Sequence, residues 1–322
     1  MEIMQTENIV DIIEDDILKL GKSVIENLLK DRTTRKNIIW ATDDYISLGL
    51  DYDAKSEITI ALITGIHSKV IQPRTKKIKE HQTNRTREKA EVFTPSWICN
   101  EQNNLIDEQW FEKKNVFNIS SYNTWKAQDE NISFTDEKKT WQAYVDARRM
   151  EISCGEAPYL VSRYDAVSGE IISLNNRIGL LDRKLRVVNE NTDNEKDWWK
   201  WTKRALQSVY GYEYQGDNLL LARENLLYTF IDNMIYKFKR VPSEIELKEI
   251  AKIISWNIWQ MDGISYTVPF GKIEERYHQM TLFDLFNNTE QELPKQQLCK
   301  IKDWRSNISM TYKSLMEGNA NE

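Results

Sequence analysis

Two stretches about fifty residues apart hold the residues best suited to bind a ligand. The first, Met150 to Val161, reads MEISCGEAPYLV and predicts a strand, a tight loop and the start of a helix. A loop of this kind presents backbone N–H groups to a ligand. The second, Val209 to Leu227, predicts a strand that ends at Glu213 and then a helix. An acid at the end of the second strand of an open α/β sheet can accept hydrogen bonds from both hydroxyls of a ribose. Together the stretches predict a nucleoside-binding half-sheet.

The composition excludes several classes of protein. The chain has 322 residues, enough for two domains, and 29% of them are charged. No apolar run approaches the roughly 18 residues of a membrane-spanning helix, and the N-terminus is acidic instead of resembling a signal peptide. We therefore expect a cytoplasmic protein that does not enter a membrane. Three cysteines and three histidines are widely spaced, which is not typical of a disulfide framework or a zinc site, so we expect no metal.

A basic segment interrupts this acidic chain of net charge −6. Between Lys69 and Lys89 there are eight lysines and arginines and only two glutamates. One interpretation is contact with the phosphates of double-stranded DNA, through Lys76, Lys77, Arg85 and Arg87. A solvated linker is an equally good interpretation. In either case the segment separates a helical N-terminal module with a basic linker, residues 1–85, from residues 86–322.

Periodic apolar residues predict the other elements. Residues 1–32 have helical spacing, and residues 178–206 contain two helical faces separated by a polar stretch. A further helix is predicted from Ser243 through Trp259, with Ser243 as its N-cap. Near the end of the sequence, Cys299 to Lys302 alternates apolar and basic residues before Asp303, which predicts a third strand that ends in an acid.

A tryptophan cluster in the second of the two faces has two interpretations. Trp198, Trp199 and Trp201 lie within four residues of one another. Clusters of this kind are typical of a core or a seam between helices. The alternative is a surface on which nucleic-acid bases stack.

Four segments, in this order, resemble the motifs of the amino-methylating DNA methyltransferases of restriction-modification systems, particularly the N6-adenine enzymes of type I and type IIG. AEVFTPSWI, residues 90–98, is similar to their motif X, and ISCGEAPYL, residues 152–160, to motif I. VYGYEYQ, residues 209–215, is similar to motif II, and IKDW, residues 301–304, to motif III. The resemblance implies an α/β fold in which the helical N-terminal module precedes a partial Rossmann-like, S-adenosylmethionine-dependent methyltransferase domain with helical insertions, at residues 86–322.

The resemblance also implies a role for individual residues. Motif X packs over the methionine end of S-adenosylmethionine, Glu213 binds the ribose, and Asp303 lies near the adenine amine of the cofactor. The implied cofactor-binding residues are Phe93, Thr94, Pro95, Glu151, Ser153, Cys154, Gly155, Glu213 and Asp303.

Two departures from the family pattern affect the expected activity. Ala157 replaces the second glycine of motif I, and Pro158 follows it and removes a backbone donor. The catalytic motif Asn/Asp-Pro-Pro-Tyr/Phe is missing, because none of the six prolines is next to another, and the sequence stops soon after Asp303. Methyl transfer to adenine N6 needs that motif to orient the amine and hold the flipped base. We therefore identify no catalytic residue.

The leading hypothesis is a split enzyme. This chain would be the cofactor-binding subunit of an S-adenosylmethionine-dependent DNA adenine-N6 methyltransferase, inactive alone, and a second polypeptide would supply Asn-Pro-Pro-Tyr and target recognition. The alternative is a non-catalytic protein that binds DNA or a defence complex, such as a phage-type decoy, on a degenerate methyltransferase fold. A small-molecule or RNA methyltransferase is a weaker third hypothesis.

Overall fold

The computed structural model describes residues 10–77, 94–135, 137–271 and 296–318, and these form a mixed α/β structure. Within these ranges the α-helices are α1 Glu14–Leu20, α2 Lys22–Leu29, α3 Ile60–Ile63, α4 Ser96–Phe111, α5 Trp141–Asp146, α6 Leu180–Asn191, α7 Glu195–Gln207, α8 Gly216–Phe238, α9 Glu244–Asn257 and α10 Tyr312–Gly318. The strands are β1 Asn118–Ser121, β2 Thr124–Ala127, β3 Arg149–Glu151, β4 Val209–Glu213, β5 Ile258–Gln260, β6 Lys300–Asp303 and β7 Ile308–Thr311.

Several of the predicted helices are confirmed. The N-terminal periodicity forms α1 and α2, which meet at Gly21, where φ is 149° and a side chain would be strained. The two faces in residues 178–206 form α6 and α7. Ser243 caps α9 by accepting the N–H of Glu246, whose carboxylate accepts the N–H of Ser243 in return. The predicted domain boundary between residues 85 and 86 lies outside the described residues.

The central sheet is parallel, with the strand order β3-β4-β5. Its first two strands are in the predicted stretches, but the predicted third strand is wrong. The third strand is β5, which follows α9 directly. Ile258, Trp259 and Gln260 are all buried, and periodicity alone does not separate such a short buried run from the end of a helix.

The segment predicted as the third strand forms an antiparallel hairpin instead. Strand β6 pairs with β7, so that Lys300 lies opposite Thr311 and Asp303 opposite Ile308. The hairpin packs on the parallel sheet through a second, smaller core that contains Tyr212, Trp259, Ile301 and Tyr312. Alternation of apolar and basic residues therefore predicted a strand correctly, but not the sheet to which it belongs.

The helix predicted to start after the Cys-Gly loop is also wrong. Residues 155–161 form turns, and the next α-helix, α6, begins at Leu180. Two causes are visible: Pro158 has no N–H to donate, and the buried carboxylate of Glu151 accepts the N–H groups of Tyr159 and Leu160 at 3.3 and 3.2 Å. Burial raises the pKa of Glu151 well above its ordinary value, and these two N–H groups oppose that shift.

Helix α8 is buried on every side from Gly216 to Met234. One continuous hydrophobic core surrounds it, and this core includes residues from Ile12 to Ile258. The Arg223 guanidinium, inside that core, donates to the carbonyls of Leu28 and Lys30 at the end of α2 and to Ile258 at the start of β5. These bonds fix the N-terminal helices to the sheet, and burial lowers the pKa of Arg223 to about 9.

Within the described ranges, two carboxyl groups lie in the same core with no hydrogen bond to another residue. They belong to Glu14 of α1, which is 1% exposed, and Glu224 of α8, which is 0% exposed. Burial is the main cause that raises the pKa of each acid, and the charge of Glu14 adds to the effect at Glu224. A buried carboxyl group without a partner is tolerated in its neutral form, so the folded protein holds these protons.

We expect Glu224→Gln to make the protein more stable at about pH 8 and to have little effect near pH 4. Because the folded-state pKa values lie above the ordinary carboxyl value of 4.5, the folded state binds more protons than the unfolded state, and the free energy of unfolding falls as the pH rises. Urea unfolding at several pH values measures this. Glu101→Gln, at an exposed position of α4, is the matched control. An equal pH dependence in wild type and Glu224→Gln would contradict the interpretation.

Candidate functional site

Glu213 lies at the carboxyl end of β4, beside the loop that follows β3. Its Oε1 accepts the N–H groups of Tyr214 and Gln215 at 2.9 and 3.1 Å, and its Oε2 accepts the N–H of Gly155 at 2.9 Å. Burial raises the pKa of the carboxyl group, and the three N–H groups oppose that effect. A carboxylate has about four acceptor positions, so among the described residues one remains, on Oε2. Glu213 can therefore accept one ribose hydroxyl in this conformation, whereas the sequence predicted two.

The Cys-Gly loop uses most of its N–H groups inside the protein. The N–H of Cys154 donates to the Tyr212 carbonyl at 2.8 Å, and that of Ala157 donates to the Cys154 carbonyl at 2.7 Å. With the Gly155 N–H on Glu213, three donors expected to face a ligand are already bonded. Ser153, at the exposed start of the loop, has a φ of 48° and forms a side-chain hydrogen bond with the Tyr212 phenol.

Ala157 retains the backbone conformation that a glycine favours. Its φ is 63° and Gly155 has a φ of 52°, so both residues are in the left-handed region. The Ala157 side chain is fully buried in the core. The loop therefore accommodates the missing glycine, at the cost of a strained alanine.

The thiol of Cys154 is buried and does not face solvent. It is 2% exposed and lies against Gly211 of β4, where an added Cβ would be 3.3 Å from its Sγ. Burial raises its pKa well above the ordinary value. This side chain is a packing group, and a thiolate nucleophile is not supported.

The segment similar to motif X lies beside the same loop. The Ser96 N–H donates to Asp165 at 2.6 Å, and Thr94 forms a side-chain hydrogen bond with the phenol of Tyr159. Pro95 precedes α4 and makes the turn into it. The structure thus brings Thr94 to Tyr159, whose N–H donates to Glu151 at the end of β3. Phe93 lies outside the described residues.

Asp303 does not join this group. Its carboxylate accepts from Arg148, the residue before β3, at 2.9 Å, and the neighbouring Trp304 donates to Asn257, the residue before β5. Both partners lie at the amino end of the parallel sheet, opposite Glu213. The predicted contact of Asp303 with the adenine amine of the cofactor does not fit this position.

Asp262 is the acid that follows the third parallel strand, and the sequence interpretation missed it. The N–H of Met261, the residue before it, donates to the Glu213 carbonyl at 3.0 Å, so the two acids end neighbouring strands. The Asp262 Oδ1 accepts the N–H groups of Ile264 and Ser265 at 2.9 and 3.3 Å. The available signal was the buried run Ile258 to Met261 immediately before an Asp-Gly pair.

A segment from the N-terminal module covers this end of the sheet. Gln260 donates to the Ile39 carbonyl at 2.8 Å and accepts the Ile39 N–H at 3.0 Å. The Gly216 N–H donates to the Trp40 carbonyl at 2.9 Å, and a Cβ on Gly216 would lie 2.0 Å from the Ile39 oxygen. Only glycine allows this close approach, so the module is one wall of the candidate site.

Lys77 lies inside this wall. Its ammonium group is 3.1 Å from Asp217 in the first turn of α8, and the two side chains are 9% and 0% exposed. The phenol of Tyr45 donates to the same carboxylate oxygen at 2.7 Å. This position does not fit the predicted phosphate contact. Lys76 is exposed, and its contact with DNA remains a prediction; Arg85 and Arg87 lie outside the described residues.

Two general features bear on the class of protein. No group of three or more metal-ligating side chains is found in the described part of the chain. None of the helices in those ranges is long and apolar enough to cross a membrane.

Comparisons of the chain with protein-family models, curated proteins and solved structures found no match.

We expect Lys77→Ala to lower the free energy of unfolding by about 3 kcal/mol, because it removes one partner of a buried ion pair. Lys76→Ala, one residue away and exposed, is the control and should change stability by no more than about 0.5 kcal/mol. Urea unfolding measures both. If Lys77→Ala is as stable as wild type but binds duplex DNA more weakly, the ion-pair interpretation is wrong and Lys77 contacts DNA phosphates.

Proposed function

We propose that this chain is the cofactor-binding subunit of an S-adenosylmethionine-dependent DNA adenine-N6 methyltransferase, whose base-binding half comes from a second polypeptide. The observation that carries the proposal is the adjacency of Glu213, at the end of β4, to the glycine loop that follows β3. In a doubly wound sheet, this pair of positions is where a nucleoside ligand is bound.

The strand order supports the same proposal. The order β3-β4-β5 is that of one half of a doubly wound sheet, in which a ligand binds where the strand order reverses. That point lies beside the first strand, here β3, which is an edge strand in the described part of the chain. Met150 and Ile152 at this edge are 38% and 67% exposed. A further parallel strand beside β3 would complete both the sheet and the ligand crevice.

The acids at this end of the sheet fit the nucleoside part of the cofactor. The remaining acceptor position on Glu213 suits a ribose hydroxyl, and Asp262 takes the place that the resemblance gave to Asp303. When bound, the cofactor supplies a methyl group on a sulfonium, so displacement needs neither a metal nor a covalent nucleophile. What this chain provides is orientation of the nucleoside and, through the Thr94 segment, one wall beside it.

The non-catalytic alternative is favoured by a different observation. The N–H groups of Cys154, Gly155 and Ala157 are bonded within the protein, which leaves the loop few donors for a ligand. A protein that keeps the fold for binding DNA or a defence complex would retain such a closed loop. The two proposals differ in whether the chain binds the cofactor.

We expect the wild-type protein to bind S-adenosylhomocysteine. Of its 2′-deoxy and 3′-deoxy analogues, one should bind about tenfold more weakly than S-adenosylhomocysteine and the other about as tightly. One hydroxyl meets the remaining acceptor position of Glu213, so only its removal breaks a bond. In Glu213→Gln the three ligands should bind almost equally. Calorimetry measures the affinities, with thermal unfolding to verify folding and Glu101→Gln as the control. Equal affinities of wild type for all three ligands would remove the ribose assignment, and no binding at all would favour the non-catalytic alternative.

For activity, we expect no methyl transfer to unmethylated duplex DNA by this chain alone, and transfer when the polypeptide that carries Asn-Pro-Pro-Tyr is added. The product of the neighbouring reading frame is the first candidate, and transfer of a radiolabelled methyl group is the measurement. Ile152→Lys places a charge beside the open edge and should abolish transfer by the pair. Ile66→Lys, at a side chain that is 96% exposed elsewhere, should not. Transfer by the single chain would contradict the split arrangement.

A further inference from the structure

An open groove with a volume of about 690 Å³ lies between α5 and α7, at the opposite end of the sheet from Glu213. Helix α7 ends at Gln207, one of the lining residues, just before β4 begins, so the groove is at the amino end of that strand. The volume is in the range of ligand-binding clefts. The groove is separate from the proposed cofactor site, and its function does not depend on that proposal.

The tryptophans of helix α7 lie in two different environments. Trp198 is fully buried and donates its indole N–H to Asn189 at 2.6 Å, so it belongs to the core. Trp199 and Trp201 are half-buried and line the groove. Within the described ranges, neither of their indole N–H groups has a hydrogen-bond partner. Trp141 of α5 supports Trp201 edge to face, with ring centroids 4.9 Å apart. Two aromatic rings therefore lie at the surface of the groove.

The groove is positively charged although the chain as a whole is acidic. Its lining contains four cations, Lys196, Lys200, Lys203 and Arg204, against one acid, Asp146. Lys203 is paired with Glu249 at 2.9 Å, and Arg204 is paired with Asp146. Lys196 and Lys200 are exposed, and no carboxylate in the described part of the chain pairs with them.

The cations are placed at the rings. The Lys203 ammonium is 4.9 Å from the ring centroid of Trp199, and the Lys200 ammonium is 5.4 Å from that of Trp201. Positive charge continues beside the groove through Arg305, which shares Asp146 with Arg204 and is 49% exposed. A surface of this kind offers cations to the phosphates of a polymer and aromatic ring faces to the planar groups attached to that polymer.

We propose that this groove binds single-stranded nucleic acid, with unpaired bases stacked on Trp199 and Trp201 and phosphates held by Lys196 and Lys200. Grooves that combine cations with aromatic rings bind single strands because every unpaired base has a flat face. In a duplex the bases are already stacked on one another, so the rings would have no base to receive. An acidic peptide would meet the cations but would make no use of the rings.

The test is fluorescence anisotropy of a labelled oligothymidylate of about 12 nucleotides, titrated with the full chain at several salt concentrations. The double variant Lys196→Gln/Lys200→Gln should flatten the slope of log affinity against log salt by about 1.4, since each single-strand phosphate contact contributes about 0.7. The control is Lys55→Gln/Lys113→Gln, the same change of charge at two exposed lysines outside the groove. It should leave affinity and slope nearly unchanged.

Substitution of the rings separates stacking from charge. Trp201→Leu should weaken binding about tenfold or more, and Trp201→Phe should restore most of the loss. The same titrations with a duplex, an RNA strand and a polyglutamate peptide identify the partner: binding to both DNA and RNA strands, and weaker binding to the duplex, is the expected result. Equal or tighter binding of the duplex, displacement by polyglutamate with no effect of Trp201→Leu, or no binding of the single strand would each overturn the proposal.

Discussion

Helix α8 is buried along almost its whole length, and this constrains everything packed around it. A buried helix with charged side chains is stable only if its surroundings supply their partners, and Glu224, which has none among the described residues, is held in its neutral form. Asp217 in its first turn accepts hydrogen bonds from Lys77 and Tyr45. Arg223 donates to carbonyls at the end of α2 and at the start of β5. Asp232 in its last third receives Arg163 and Arg177 at 3.3 and 2.7 Å. The N-terminal module, the sheet and the loop after β3 thus each provide groups that the helix requires, which explains why they form one core.

The same constraint determines how the Cys-Gly loop is held. Asn225 of α8 donates to the Glu156 carbonyl and to the Tyr164 phenol, and that phenol donates to the Glu156 carboxylate at 2.6 Å. The loop is therefore bonded to the helix beneath it as well as to Glu213 beside it. A ligand that needs its N–H groups must compete with bonds inside the protein. This competition lowers affinity by the free energy of the bonds it replaces, about 1 kcal/mol for each neutral pair.

How far the sequence predicted this structure depends on the range of the interactions. Short-range signals were reliable: Ser243 with Glu246 predicted the start of α9, and the apolar run that ends at Glu213 predicted β4. Signals that depend on distant partners were not. The pattern that ends at Asp303 predicted a strand, but its partner strand and the sheet it covers are set by packing against Tyr212 and Trp259.

The candidate site shows the same limit at single residues. The pairing of Glu213 with the glycine loop followed from the order of the two strands, because the carboxyl ends of parallel neighbours meet. Lys77 belongs to a basic segment, and composition favours a solvated position for each of its members. Only the fold brings Asp217, 140 residues later, within reach of its ammonium group. The single remaining acceptor position of Glu213 could not be predicted either, since it depends on the turn at Gly155.

The two ends of the parallel sheet differ in charge, and this limits what each can bind. The carboxyl end presents Glu213 and Asp262, whereas the amino end presents Arg148, Arg204 and Arg305 together with Asp303 and Asp146, the acids with which they are paired. Acids repel a phosphate backbone, but they suit a neutral ribose and a ligand that carries a sulfonium. If the proposed methyltransferase role is correct, duplex DNA at the carboxyl end needs cations beside these acids, from the predicted contact of Lys76 or from the second polypeptide. In that role, electrostatics and the open edge of β3 would both favour a partner: this chain would bind the cofactor, and the partner would add cations for the DNA that receives the methyl group.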